Sequence, residues 1–170
     1  TLHTNNAATC LPRLLDMGIE PFLIASTVKA VVGQRLVRRL CMTCRQQYQP
    51  NQAEVDMIVK LFNLRQGQTF ANIHALDTNA FNQKVGGDTP LGTTETAIAA
   101  LWRANPEGCD DCSHTGYRGR IGIYEVLGNS IPIQRMIMAQ GTSAQIQDQA
   151  IAEGMVTMQS DGLVKMLRGN

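Results

Sequence analysis

The sequence predicts an α+β fold in three segments: residues 1–40, a tetracysteine zinc subdomain over 41–120, and a strand followed by helices over 121–170. Three observations lead there. Cys41-Met42-Thr43-Cys44 and Cys109-Asp110-Asp111-Cys112 each hold two residues between their cysteines, a spacing that turns two thiolates of one tight turn toward a single tetrahedral cation. Two runs read as strands, 34–40 leading into the first cysteine pair and 121–127 following the second. Most of the remaining apolar residues recur at helical spacing in short stretches bounded by Asn, Ser, Thr, Pro or Gly.

Composition excludes little but narrows the class. Hydrophobic residues make up 44% of the 170 and charged residues 17%, an ordinary globular balance. Fifteen Lys and Arg against 14 Asp and Glu leave a formal charge of +1, so bulk charge gives no reason to expect nucleic acid or an anionic membrane as partner. No apolar run approaches the roughly 18 residues of a membrane span, and no signal-peptide pattern opens the chain. A soluble, intracellular chain is expected. Thr1 in place of a start methionine suggests a fragment.

In order, Asn5 or Asn6 can cap a helix over about 7–17, with Leu11, Leu14 and Leu15 on one face and Gly18 as its stop. Pro12 is tolerable there only in a first turn. Glu20-Pro21 restarts a helix that Val28, Val31 and Val32 extend to Gly33. A strand over 34–40 carries Arg35, Arg38 and Arg39, which with Arg45 form either a solvated basic edge or an anion contact. Asn51 and Glu54 make a capping box for a helix of about ten residues bearing Val55, Ile58, Val59 and Phe62. From 63 the periodicity dissolves, and only 95–103 looks helical again. Residues 63–105 therefore read as an insertion, whose Trp102 packs it back onto the body. Gly116 and Gly119 imply a tight loop before the second strand. Ser130 opens a helix, Thr142 with Gln145 caps another, and a third runs from about Met158 to Arg168. Methionines concentrate in this tail as packing filler.

The cysteines carry the chemistry. The 64 residues from 45 to 108 separate the pairs, far more than in an ordinary zinc ribbon. Structural zinc on Cys41, Cys44, Cys109 and Cys112 is preferred to a redox dithiol or to plain thiols. Four thiolates around a dication leave a net negative charge, which Arg39, Arg45, Arg118 and Arg120 could offset and Asp110 and Asp111 would oppose. Four sulfurs leave no open position, so catalysis belongs elsewhere. Cys10 is expected to be a small buried hydrophobe, and His114 a poor rival to the cysteines as ligand. His3, from spacing alone, reads as a structural or surface residue.

Several motifs together resemble one family. Thr1-Leu2-His3-Thr4-Asn5, Asp16-Met17-Gly18-Ile19-Glu20-Pro21-Phe22, Gln34-Arg35-Leu36-Val37-Arg38-Arg39-Leu40-Cys41, Gly116-Tyr117-Arg118-Gly119-Arg120-Ile121-Gly122-Ile123-Tyr124-Glu125 and Asp161-Gly162 are similar to stretches of the GspE/PulE/PilB secretion ATPases. These are hexameric motors of type II secretion and type IV pilus assembly. The resemblance spans the chain apart from about 63–105.

That resemblance implies the C-terminal portion of a RecA-like ATPase core at 1–40, with the zinc subdomain and a C-terminal helical subdomain beyond it. It implies His3 as an auxiliary catalytic residue near the nucleotide phosphates, with Arg35 as a further nucleotide contact. It implies ATP and Mg²⁺ in the parent protein, a homohexamer, an inner-membrane platform protein as partner, and a cytoplasmic location peripheral to that membrane. The sequence contains no G-x-x-x-x-G-K-[ST] loop to cradle phosphates, so this chain alone is expected not to hydrolyse ATP. The alternative from another class is a free-standing zinc-ribbon module binding nucleic acid or protein. Against nucleic acid stand Glu107, Asp110 and Asp111 beside the second cysteine pair and the lack of aromatics interleaved with the arginines.

Overall fold

A computed structural model describes residues 1–62, 70–85, 87 and 89–170. The described elements are α1 (Ala7–Asp16), α2 (Pro21–Thr27), β1 (Ala30–Leu40), β2 (Gln46–Tyr48), α3 (Gln52–Leu61), α4 (Phe70–Asn82), β3 (Leu101–Arg103), β4 (Tyr117–Gly128), α5 (Ile131–Met138), α6 (Ser143–Ala152) and α7 (Met158–Leu167). The mixture of helix and strand is the α+β class expected. The elements gather into two compact units, one made of 1–35 with 123–158 and the other of 36–122 with 159–170.

In the first unit, α1, α2, α5 and α6 bury Leu11, Ile24, Ile133, Ile137 and Ile146 against Leu127 of β4. Each such side chain contributes roughly 1.5–3 kcal/mol by leaving water. Asn6 caps α1, its Oδ1 accepting from the Thr9 N–H at 2.9 Å. Pro12 departs from expectation by standing in the second turn of α1, where it has no N–H to give to the Ala8 carbonyl. The second helix is shorter than its sequence pattern suggests. It ends at Thr27, and the chain is already a strand at Ala30. Val28, Val31 and Val32 are β-branched and favour extended backbone. Asn129 fixes this boundary by donating from Nδ2 to the carbonyls of Ala25 and Val28 at 2.9 and 2.7 Å.

Gly33, expected to stop a helix, instead lies inside β1. A Cβ there would sit 2.8 Å from Cγ of Glu125 on the neighbouring strand β4, so only glycine admits that side chain. The bond from the Asn129 N–H to the Lys29 carbonyl and the contact between Gln34 and Tyr124 show the two strands running antiparallel.

The second unit has its own core of Ile58, Val59, Ile73, Ile98, Leu101, Leu163 and Leu167. The capping box at Asn51 and Glu54 is present, with reciprocal bonds of 3.0 and 2.9 Å. Within the expected insertion, 63–69 lie outside the described residues, as do Gly86 and Asp88 of the expected turn. The rest of that stretch is more ordered than its composition suggests. Residues 70–82 form α4, whose buried face is Ile73, Asp77 and Ala80; a charged residue at the middle position hides the apolar period. Residues 95–103 are not helical. Thr93 and Ile98 form an isolated bridge, and β3 pairs with β2 through Gln46–Arg103, Gln47–Trp102 and Tyr48–Leu101. The β2 partner supplies the ladder bonds that a lone nine-residue helix would have had to make internally.

Candidate functional site

The four paired cysteines converge in the second unit. Their Sγ atoms all lie within 4.8 Å of one another. Cys41 to Cys109 is 3.7 Å, Cys44 to Cys112 is 3.8 Å and Cys109 to Cys112 is 3.8 Å. A tetrahedral Zn²⁺ with Zn–S bonds of about 2.3 Å requires sulfurs about 3.8 Å apart, so the donor set fits a closed Cys₄ zinc centre.

The local chain explains the convergence. Each pair forms a tight turn in which later amides fold back on the first cysteine carbonyl: Cys44 and Arg45 donate to Cys41 O at 3.3 and 2.9 Å, and Cys112 and His114 donate to Cys109 O at 3.1 and 3.0 Å. The strands then join the turns, since the Cys41 N–H donates to the Gly116 carbonyl at 2.9 Å. Gly116 has φ +72°, and a Cβ there would lie 2.6 Å from the Asn105 carbonyl oxygen. This conformation aims the Gly116 N–H at Cys112 Sγ, 3.2 Å away, beside the Cys109 N–H at the same distance. Thr43 links the two turns through a 2.8 Å bond to Asp111.

Burial disfavours every thiolate here, but the amides divide the four. At Cys112 the N–H groups of Cys109 and Gly116, helped by the Cys109 and Cys44 sulfurs, outweigh burial and bring the thiol down to about 6. Cys41 is also lowered, because the amides of Cys44 and Thr43 overcome its burial. Burial and the three surrounding sulfurs push Cys44 up to about 12, and burial raises Cys109. Sulfurs this close share negative charge fully only around a cation.

The expected arginine support takes a different form. Arg45 leaves the centre and donates from Nη1 to the carbonyls of Arg168 and Gly169 and from Nη2 to Thr89 Oγ1, stacked 4.3 Å over Trp102. Burial and the nearby Arg39 and Arg168 charges lower its pKa from the usual arginine value. Arg118 pairs with Asp111 at 3.7 Å, which offsets one of the two opposing carboxylates. Backbone amides therefore do much of the work expected of guanidinium groups. His114 stands outside the sulfur cluster, its ring nitrogens 3.2 Å from the Glu107 carbonyl and 3.3 Å from Asp110. Cys10 is half-buried rather than enclosed, and burial raises its thiol pKa.

In the first unit, His3 and Arg35 line one open cleft of about 410 Å³ together with Leu2, Thr4, Asn5 and Gln34. Both are exposed. Arg35 Nη2 donates to Asn5 Oδ1 at 3.4 Å, which turns the guanidinium toward the 1–5 segment. An imidazole and a guanidinium on one polar wall offer hydrogen bonds suited to an anion.

Sequence reasoning missed three polar groups that organise the chain. Glu125 is 2% exposed and accepts from the N–H groups of Ala7 and Met158, the first residues of α1 and α7, at 2.5 and 3.1 Å. Asp77 and Arg168 are fully buried in the second unit, 3.9 Å apart. Arg168 also donates to the carbonyls of Val85, Pro90 and Gly87. Only the helix period of 70–82, with Asp77 at a core position, could have signalled the last pair.

Among the described residues, no helix is long and apolar enough to cross a membrane. The family described as Type II/IV secretion system protein matches this chain over residues 1–170. The chain is 34% identical over 171 residues to a type IV pilus assembly ATPase PilB of Pseudomonas aeruginosa, covering 99% of this chain and 24% of that protein. It is 36% identical over 169 residues to a type II secretion system protein E of Klebsiella pneumoniae, covering 99% and 26%. A PilB of Thermus thermophilus is 33% identical over 169 residues, covering 99% and 15%. The chain thus spans about a quarter or less of the length of these curated relatives. With every residue inside the family match and identities above 30% to relatives of both systems, the chain belongs to the type II/IV secretion system protein family.

Proposed function

We propose that this chain works as part of a hexameric motor ATPase that powers type II secretion or type IV pilus assembly. The observation that carries the reading is the identity of 34–36% over 99% of the chain to proteins named as a pilus assembly ATPase and as a secretion system protein E. In this reading residues 1–40 form the C-terminal edge of a RecA-like core, 41–120 a zinc subdomain with an insertion, and 121–170 a strand with a helical subdomain. His3 and Arg35, which share a cleft, would hold the nucleotide: the guanidinium binds phosphate oxygens, and the imidazole hydrogen-bonds the same anion. ATP with Mg²⁺ supplies the phosphoryl group and its charge neutralisation when bound. In this reading a phosphate-cradling loop would be supplied by other residues of the motor.

Cys41, Cys44, Cys109 and Cys112 would hold Zn²⁺ in a closed site that stabilises a rigid projection suited to touching a partner, with an inner-membrane platform protein as the expected one on the cytoplasmic side. Other copies of the same protein would complete the ring. The test joins this chain to a phosphate-loop-bearing core of the family and measures ATP hydrolysis. His3→Ala is expected to lower the rate at least tenfold while zinc content stays level; an unchanged rate removes His3 from the site.

A further inference from the structure

Arg45 follows Cys44 directly, yet its side chain serves another part of the second unit. Its guanidinium lies 4.3 Å over the Trp102 ring, and its Nη1 closes the C-terminal end of α7 by donating to the Arg168 and Gly169 carbonyls. Its Nη2 reaches Thr89 Oγ1 at 2.8 Å. From the same end of α7, the Arg168 side chain runs to the carbonyls that follow α4 and to Asp77 within α4. One unbroken path of polar contacts therefore leads from the cysteine turn through Arg45 and the end of α7 to α4.

The first steps of the path are closely fitted. The Arg45 N–H donates to Cys41 O at 2.9 Å, so the backbone that aims the guanidinium is the backbone that aims two of the four sulfurs. Gly169 has φ +68°, and a Cβ there would lie 2.9 Å from the Trp102 ring, so the end of α7 sits directly on the indole. A planar fork that is half-buried, stacked and bonded to three oxygens is held in one orientation. When the turn bearing Cys41 and Cys44 loosens, that fork loses its base.

We propose that Arg45 is a positioning residue that couples metal occupancy of the tetracysteine centre to docking of the α7 C-terminus and of α4. The inference rests on the zinc reading above. Metal binding fixes the turn, the turn fixes Arg45, and Arg45 holds the end of α7, from which Arg168 holds α4. Linkage makes the coupling reciprocal: whatever undocks α7 weakens metal binding by the same factor.

Trp102 is the sole tryptophan and reports directly on the joint. The full 170-residue chain is loaded with Zn²⁺, its zinc is counted by elemental analysis, and the metal is then withdrawn with a chelator. Expected results are a red-shifted Trp102 emission and faster amide exchange in 70–82 and at the end of α7. With zinc still bound, Arg45→Ala should reproduce the emission shift, bind zinc about 10-fold or more weakly, and show no further Trp102 change on chelation. Arg45→Lys, which keeps the charge without the fork, should fall between the two. Zinc release that leaves Trp102 emission and exchange in 70–82 unmoved overturns the coupling, as does an equal chelation response in the parent and in Arg45→Ala. A chain that takes up no zinc overturns the metal reading and the coupling with it. The chelation arm needs no variant, so a poorly folded Arg45→Ala still leaves a decisive result.

Discussion

Glu125 shows how one residue can settle a fold without belonging to any motif. Alternation along β4 puts it on the same face as the buried Leu127, where an ionised carboxylate would be costly alone. Two helix starts resolve the cost, because the N–H groups of Ala7 and Met158 each take one of its oxygens and the positive ends of α1 and α7 favour negative charge. Gly33 provides the space. Glu125→Gln keeps the shape but turns one acceptor into a donor, leaving one buried N–H facing an NH₂ group. A loss of about 2–3 kcal/mol in urea unfolding at pH 7 is expected; a loss below about 0.5 kcal/mol would mean that water serves these amides instead. The sequence displays Glu125 in a β-rich run, but nothing local says that two distant helices begin at its carboxylate. The paired cysteines differ in this respect, since their spacing alone brings each pair together.

Elements with a complete local signal were legible in the sequence. The Asn51/Glu54 and Thr142/Gln145 capping boxes start α3 and α6 where their residues say they should, since both ends of each bond lie within one turn. Elements defined by a remote partner were not. β3 exists because β2 offers it a ladder, and α4 conceals its core face behind Asp77. That aspartate accepts from the Gly92 N–H and Thr93 Oγ1 at 2.9 and 3.0 Å, while its other oxygen faces Arg168. Asp77→Ala removes the counter-charge from a fully buried guanidinium and strands two donors. Breaking such a pair costs roughly 3–5 kcal/mol, and thermal unfolding of the second unit should show a destabilisation of about that size. Asp77→Asn, which can still accept from Gly92 and Thr93, should recover part of it. Equal stability of the Ala variant and the parent would show that the Val85, Gly87 and Pro90 carbonyls suffice for Arg168.

At the scale of the whole chain, and among the described residues, the two apolar cores share none: Leu11, Ile24 and Ile133 belong to one, and Ile58, Ile73 and Leu163 to the other. The cysteine pairs, which dominate the sequence, sit wholly in the second unit. In the proposed reading, zinc on the four cysteines contributes a large share of the stability of that unit, whose described core also holds the buried Asp77 and Arg168. The first unit draws on the packing of α1, α2, α5 and α6. Unfolding should therefore depart from a single two-state transition once the metal is withdrawn. Cys41→Ser or Cys112→Ser should lower zinc content below one per chain and abolish slow amide exchange in α3 and α4. Slow exchange should persist in α1 and α5, since local stability follows local packing. Equal zinc in the variants and the parent would remove those cysteines from the ligand set. Simultaneous loss of protection in α1 and α3 would instead show that the cores unfold as one, because separate cores release their amides at separate free energies.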